Sequence, residues 1–488
     1  MLAGLVVRDY CPHPMRVGVL SILLSGSALL AVGCNNDGDP PPRGTLYFPN
    51  AVALSGPDAD GKPHYLFVAN NNVDLRYSRG SLQAFSLERI DAAIKRCAGK
   101  SGCVIDPTDD GILEDEVLTS SLATSVAVSS EVSDVGIPTG NAFVATRTET
   151  SLTYVNLKQG DGGKLEMRCG DGGSDCDSDA IRGDDLYRDT GRIEWPLEPR
   201  AVVTGSLADL APEAFSDATS TSTSSTAPRY ALVAHQGLSA QGGALSLFVE
   251  RRSSDGKAAS TFVLADVIEG LAPGLTSLVY DPASRLVHVT SSSGISQGRF
   301  IGRVGVAFPK DKDGKPLIEQ AKLYNAGSLL LDGVPGIAAD QDLAFFDQRL
   351  LVVSQVPSTL LVVDTPSSID AAPPTRARVN DTIVVGAGAS QVVTGTIDGQ
   401  PLALVSCFGS RQLFVIDLTN MLVRSVVPNF SGPFSLALDA FRKKAYIADF
   451  SSSVIRIIDL APVFDGNQDR AARIVATLGS PKILQELK

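Results

Sequence analysis

The segment Lys444-Ala445-Tyr446-Ile447-Ala448-Asp449-Phe450-Ser451-Ser452-Ser453-Val454-Ile455-Arg456-Ile457-Ile458-Asp459-Leu460 is two β-branched runs around a short polar turn. Looser copies recur along the chain. A hairpin with apolar side chains on both faces cannot bury them alone, so its repetition predicts an all-β chain of stacked sheets. A four-strand unit can be traced seven times. First strands are expected at Asn50–Ser55, Ser125–Ser129, Ala201–Gly205, Leu275–Asp281, Asp342–Phe346, Gln391–Ile397 and Phe434–Asp439. Second strands follow at Tyr65–Asn70, Ala142–Ala145, Tyr230–His235, Leu286–Thr290, Leu350–Ser354, Leu402–Cys407 and Ala445–Asp449. Third strands are expected at Ser81–Leu87, Leu152–Leu157, Ala244–Glu250, Gly302–Phe308, Leu360–Thr365, Gln412–Leu418 and Val454–Leu460. Candidate fourth strands include Thr261–Ile268, Asp381–Val385, Leu422–Val427 and Arg473–Leu478. The runs are short, β-branched and bounded by Gly, Pro, Ser and Asp, as strands are, and their near-continuous apolar character suits burial on both faces. The clearest helical piece is Leu87–Cys97, with Ile90, Ala93 and Ile94 at helical spacing.

Tyr446–Leu460 resembles a YVTN-type β-propeller repeat, in which a Tyr-Val-Ala-Asn strand, a polar turn and a strand ending Val-Ile-Asp follow one another. Tyr65–Asn70 (YLFVAN) and Leu413–Leu418 (LFVIDL) match parts of that pattern; the middle units match loosely. The resemblance covers residues 45–488 and implies a single propeller of about seven four-stranded blades around a channel, with six or eight blades as alternatives. It implies no chemistry, because propellers host many functions. At about 63 residues per unit the chain exceeds the ~40–50 of compact blades. The excess falls in insertions at 88–117, 158–190 and 206–228, the last a Ser/Thr tract. With strands alternating in direction, all three insertions are expected at one end of the propeller.

Before this body lies a processing signal. Met15-Arg16 is followed by an apolar, small-residue run from Val17 to Gly33, and Leu30-Ala31-Val32-Gly33-Cys34 resembles a bacterial lipobox. The resemblance implies cleavage before Cys34 and lipidation of its thiol. Residues 1–14 fit no signal-peptide pattern, so Met15 is the expected start. The competing reading is a transmembrane helix, but some 17 residues with internal Gly and Ser fall near the lower limit for spanning. Residues 34–44, with Pro40 to Pro42, read as a lipidated Cys and a tether. The expected address is the cell envelope, with Asn35 favouring the outer membrane, and the expected membrane contact is the lipid anchor.

Cysteine usage fits that address. Cys97 and Cys103 bracket AGKSG, and Cys169 and Cys176 bracket GDGGSD, spans that can close as small disulfide loops in an oxidising compartment. Zinc is the rival reading of the two pairs, disfavoured by their spacing and by four His in the chain. Cys407 sits alone in an apolar run and reads as a buried small hydrophobe. The net charge of −12 argues against nucleic acid as a partner.

Candidate sites are sparse. Arg76, Arg79, Arg147, Arg299 and Arg411 fall in short connections expected at the end opposite the insertions and form a candidate basic ring for an anionic ligand; the alternative is five solvated turn residues. Asp175, Asp177 and Asp179 alternate as in calcium loops, but the sixth and twelfth places of an EF-hand hold Ala180 and Leu186. A looser calcium site is the one cofactor possibility, and a solvated acidic loop is the alternative. No Gly-x-Ser-x-Gly elbow, His-Glu-x-x-His helix or phosphate-cradling loop occurs, so no catalytic residue is assigned. His235 ends a second strand and is a candidate channel residue, whereas His288 reads as core. The single Trp, Trp195, argues against a Trp-lined cofactor stack. The expected function is a non-catalytic binding or scaffold module for an envelope protein or glycan. The alternative is an extracytoplasmic hydrolase or lactonase with a metal in the central channel.

Overall fold

A computed structural model describes residues 38–481, apart from 98–101, 133–135, 148–150, 171–172, 177–180, 183–197, 216–226, 238–241, 252–260, 293–299, 333–337, 366–374 and 466–470. It is all-β, built from six sheets. The first sheet is an antiparallel meander of Pro49–Leu54, Tyr65–Asn70, Gly80–Ser86 and Leu113–Thr119. The second runs Ala123–Val132, Pro138–Thr146 and Ser151–Gln159, with its fourth place shared by Leu165–Cys169 and Ile181–Arg182. The third comprises Pro199–Ser206, Arg229–His235, Gly243–Arg251 and Thr261–Leu271.

The eight-stranded sheet is two meanders joined at their outer edges. One is Leu275–Asp281, Leu286–Ser291, Phe300–Ala307 and Lys322–Asp332; the other is Ala338–Phe346, Arg349–Val356, Ser358–Asp364 and Thr375–Val384. Lys322–Asp332 pairs in parallel with Thr375–Val384. The sixth meander is Ala389–Ile397, Gln400–Cys407, Gln412–Asp417 and Leu422–Val427. The seventh is Pro433–Asp439, Lys444–Asp449, Val454–Asp459 and Arg473–Leu478, and Val104–Ile105 adds a parallel fifth strand to it.

The expected first, second and third strands all lie within or overlap these elements. Arg473–Leu478 completes the last meander, and the first-to-last junction is made by Val104–Ile105, from the insertion of the first meander. Two segments differ from expectation. Leu113–Thr119, read as part of an acidic insertion, is the fourth strand of the first meander. It tolerates Glu114, Asp115 and Glu116 without an apolar run because these acids, none of them fully exposed, are engaged by neighbouring segments: Glu116 accepts from the Gly44 N–H and Gln83 Nε2, and Asp115 accepts from the Met167 N–H. The described part of the presumed tether lies on the first meander. The Gly44 N–H donates to Glu116 Oε2 at 2.8 Å, and Arg43 pairs with Asp115 at 3.5 Å.

Alternation explains why the middle strands are apolar throughout. In Lys444–Asp449, Ala445 and Ile447 enter a core shared with Leu402, Leu404 and Leu413, whereas Tyr446 and Ala448 enter another shared with Leu66, Val68 and Phe85. Successive side chains point to opposite faces of a strand, so each middle strand supplies two inter-sheet cores at once. Fully burying a Leu or Ile contributes about 1.5–3 kcal/mol, and these two cores gather eight and nine such buried residues.

The terminal polar residue of the repeat has a structural task. The Asp449 carboxylate, fully buried, accepts from the Ser431 and Gly432 N–H groups at 2.9 and 2.6 Å and from Arg456 Nε at 3.1 Å. Asn70 at the same place accepts from the Tyr47 N–H at 3.1 Å. Both clamp the chain entering the first strand of their own meander. At the end of the third strand, Asp417 accepts from the Thr419 and Asn420 N–H groups, an Asx-type turn closure.

Helix α1 (Leu87–Arg96) starts where Ser86 accepts from the Arg89 N–H, carries Glu88 in its first turn and Lys95 and Arg96 in its last, and buries Leu87, Ile90 and Ala93. Cys97 then stands 5.6 Å from Cys103, and Cys169 4.9 Å from Cys176, measured between Cα atoms. Both pairs are at disulfide distance. Cys407 is a buried free thiol, pushed up to about 12 by burial.

Candidate functional site

The seven first strands touch one another in chain order, and Pro433–Asp439 returns to Pro49–Leu54. They enclose a polar cavity of about 270 Å³. Each is interrupted at the same place. The pairing with the second strand slips between Pro49 and Ala51, Ala123 and Ser125, Pro199 and Ala201, Leu275 and Ser277, Asp340 and Asp342, Ala389 and Gln391, and Pro433 and Leu436. A bulge adds one residue, bends the strand and re-aims a side chain. The extra residues are Asn50, Thr124, Arg200, Thr276, Gln341, Ser390 and Phe434, and all seven line the cavity. Since every bulge lies near the start of its strand, the first strands all begin at the same end of the channel. The connections from second to third strand therefore emerge at that end too.

Most polar side chains around the cavity tie neighbouring meanders together. Ser435 Oγ accepts from the Val52 N–H at 3.1 Å, Ser125 Oγ from Val202 at 3.3 Å, and Gln391 Oε1 from Leu436 at 2.6 Å. Asn50 Nδ2 donates to the Ala123 carbonyl at 2.7 Å. Asp342 serves two junctions. Its Oδ1 accepts from Ser277 Oγ at 2.5 Å and its Oδ2 from the Val392 N–H at 2.8 Å. Six of the seven junctions between first strands are bridged in this way. Burial pushes Asp342 up to about 6, against the hydrogen bonds from Ser277, Val392 and Leu343, which favour the charged form.

Arg200 is different. Its guanidinium lines the cavity and has no ion pair or hydrogen bond among the described residues. Burial and the charge of Arg147 lower its pKa, partly offset by Glu198. Glu198, held at φ 59°, is engaged by Arg147 at 3.2 Å.

The sequence-predicted arginines are met unevenly. Arg76 pairs with Asp74 at 3.4 Å, Arg79 with Asp175 at 3.0 Å and with the Cys176 carbonyl, and Arg147 with Glu198. Each carries its own counter-charge. Arg411 lies in a turn at φ 58°, and Arg299 lies outside the described residues, as do Asp177, Asp179 and Cys34. Asp175, the describable member of the acidic triplet, is the partner of Arg79. Among the described residues no three His, Cys, Asp or Glu side chains converge as a metal site.

His235 is fully buried, with Nε2 3.0 Å from Ser246 Oγ on the neighbouring strand, and it is not part of the channel wall. His288 is buried against Phe345 and is lowered to about 4, mainly by burial. Arg200 directly precedes the expected strand Ala201–Gly205 and resembles the end of a loop, whereas Asp342 opens the expected strand Asp342–Phe346 with nothing local to mark it as a cavity residue. A trace of the pattern is there: Pro49-Asn50, Pro199-Arg200 and Pro433-Phe434 repeat a proline just before the bulge.

No family model matches this chain, and no curated protein does. Among solved structures, a functionally unknown protein from Desulfotomaculum acetoxidans DSM 771 is similar over 82% of this chain and 96% of its own, at 12% identity and a TM-score of 0.44.

Proposed function

We propose that this chain is a seven-bladed β-propeller of the YVTN type, anchored to a bacterial envelope, probing its surroundings as a non-catalytic binding or scaffold module. Seven consecutive four-stranded meanders, whose first strands close on themselves, support the blade count. The observation that carries the functional reading is the use of the channel's polar side chains. Ser125, Asp342, Gln391, Ser435 and Asn50 bridge one blade to the next, so they hold the ring and leave recognition to the groups that differ between blades.

Crosslinking on intact envelopes tests the binding role. A protein or glycan partner captured by the wild type and lost when the channel mouth alone is altered is the expected result. One specific observation favours the alternative: burial pushes a cavity carboxylate, Asp342, up to about 6, toward the range useful to a general base. A panel of esters and lactones, assayed with and without added zinc or calcium, is expected to show no turnover. Turnover abolished by Asp342→Asn would overturn the non-catalytic reading in favour of a hydrolase.

The envelope address rests on the lipobox-like Leu30–Cys34 and is supported by two cysteine pairs at disulfide distance. Metabolic labelling with a fatty-acid analogue is expected to mark the wild type and not Cys34→Ser. An equally labelled Cys34→Ser protein would remove the anchor.

A further inference from the structure

At the end of the channel where the first strands begin, four phenylalanine rings form a continuous arc. Phe48 lies 5.2 Å from Phe450, Phe450 lies 6.4 Å from Phe434, and Phe434 lies 6.4 Å from Phe408 at 86°. Phe48 is buried and Phe450 half-buried, whereas Phe408 and Phe434 are 39% and 37% exposed. The arc is built in. A side chain at Gly432 would place its Cβ 2.8 Å from the Phe408 ring, so the bare glycine lets that ring lie against the backbone. Phe434 is both a member of the arc and the bulge residue of the seventh first strand, lining the same cavity as Arg200. An aromatic platform thus runs into a cavity walled by hydroxyls and amides, with one unpartnered cation inside.

We propose that this mouth binds an acidic saccharide, one whose terminal sugar carries a carboxylate. Each feature selects part of that chemistry. Aromatic faces are electron-rich and attract the weakly positive C–H faces of a sugar ring. Gln341 faces the cavity, and the side-chain oxygens of Thr124, Ser390 and Asn50, whose own hydrogens are donated to backbone carbonyls, keep acceptor capacity suited to ring hydroxyls. A guanidinium with no ion pair or hydrogen bond among the described residues is the preferred fork for a carboxylate. The ligand is monoanionic at its tip, because one free Arg stands in a chain of net charge −12 that repels polyanions. The cavity, about 270 Å³, falls just under the ~300–1,000 Å³ of sites for drug-sized ligands, so one sugar enters while the next rings lie on the arc. The proposal rests on the non-catalytic binding reading and names its ligand class.

The test is calorimetric titration of the folded protein with a trisaccharide of two neutral hexoses ending in a single uronic acid, the all-neutral hexose trimer and a short peptide with a free C-terminal carboxylate. The uronate is expected to bind most tightly. Arg200→Gln should weaken it about tenfold or more, with little effect on the neutral trimer. Phe434→Ala should weaken both sugars. If Arg200→Gln fails to fold, Arg200→Lys replaces it. The lysine keeps the charge but not the fork, so an intermediate loss is expected. Absence of uronate binding, binding indifferent to position 200, or preference for the peptide would overturn the proposal. Those outcomes leave the scaffold reading intact. Conversely, release of new reducing ends from the bound trimer would overturn the non-catalytic reading and leave the site standing.

Discussion

Replacing Arg442 with alanine is expected to destabilise the folded chain by about 3–5 kcal/mol, the cost of leaving a buried charge without its partner. Arg442 sits in the turn between the first two strands of the seventh meander, with its side chain 6% exposed. Its Nε donates to Asp91 Oδ2 at 2.8 Å, and one terminal nitrogen donates to Asp439 Oδ2 and to the Pro63 carbonyl, both at 2.7 Å. Lys444 also pairs with Asp91. Burial acts against the guanidinium's charge, but Asp439, with Tyr446 and Asp91, outweighs it and raises its pKa. Asp439 is completely buried, so truncation of Arg442 strands a carboxylate in the interior.

The position magnifies the effect. Asp91 belongs to helix α1 and Pro63 to the first meander, so this cluster joins the two ends of the chain. Other junctions have a covalent connection between their meanders; this one relies on packing, on Val104–Ile105, and on hydrogen bonds such as Phe48 N–H to Ser453 Oγ at 3.1 Å. Urea unfolding should show the loss. Arg442→Ala combined with Asp439→Asn should recover part of it, because the second change removes the stranded charge. A loss below about 1 kcal/mol for the single variant would show that the cluster does not hold the seam.

The second large effect is a pH dependence hidden by two opposing groups. Asp342 has its pKa raised to about 6 in the fold. The folded state therefore binds its proton more tightly than the unfolded chain, and stability falls as pH rises from about 4 to about 6. From those values the change reaches about 3 kcal/mol. His288 is depressed to about 4. Here the unfolded chain binds the proton more tightly, so stability falls as pH drops from about 6.5 to about 4, by a similar amount.

The wild type should accordingly vary little across this window through these two groups. Asp342→Asn removes one slope and exposes the other, so that variant should lose stability on acidification. His288→Gln should do the reverse and gain stability as pH falls. Chemical unfolding of the three proteins at pH 4, 5, 6 and 7 measures this. Parallel curves for all three would refute the assignment. Asp342→Ala adds a separate cost at every pH, because the hydrogen bonds to Ser277 and the Val392 N–H bridge two junctions at once.

What could be read in advance follows burial. Tyr65–Asn70, Leu402–Cys407 and Ala445–Asp449 are apolar on both faces because two cores claim them, and such runs are visible in one dimension. Helix α1 is visible through Ser86 and the spacing of Ile90 and Ala93. Outer strands are visible only in part. Lys322–Asp332 meets solvent on one side and Leu113–Thr119 tucks its acids against neighbouring segments, and both carry Asn, Gly, Asp or Glu, the vocabulary of loops. The arginines at 76, 79 and 147 looked like a basic ring because sequence displays the cations of one end together. Their partners, Asp74, Asp175 and Glu198, are brought to them in part by distant strands.

The amino-acid sequence by itself determined the all-β class, the repeat, most strand positions and the pairing of neighbouring cysteines, because these depend on side-chain periodicity and short separations. That seven bulge residues, spread from Asn50 to Phe434, share one cavity, and that Arg200 lines it with no ion pair or hydrogen bond among the described residues, is settled by the tertiary structure. A bulge is one extra residue in a register between two strands, and register is a relation between segments that neither segment carries in its own composition.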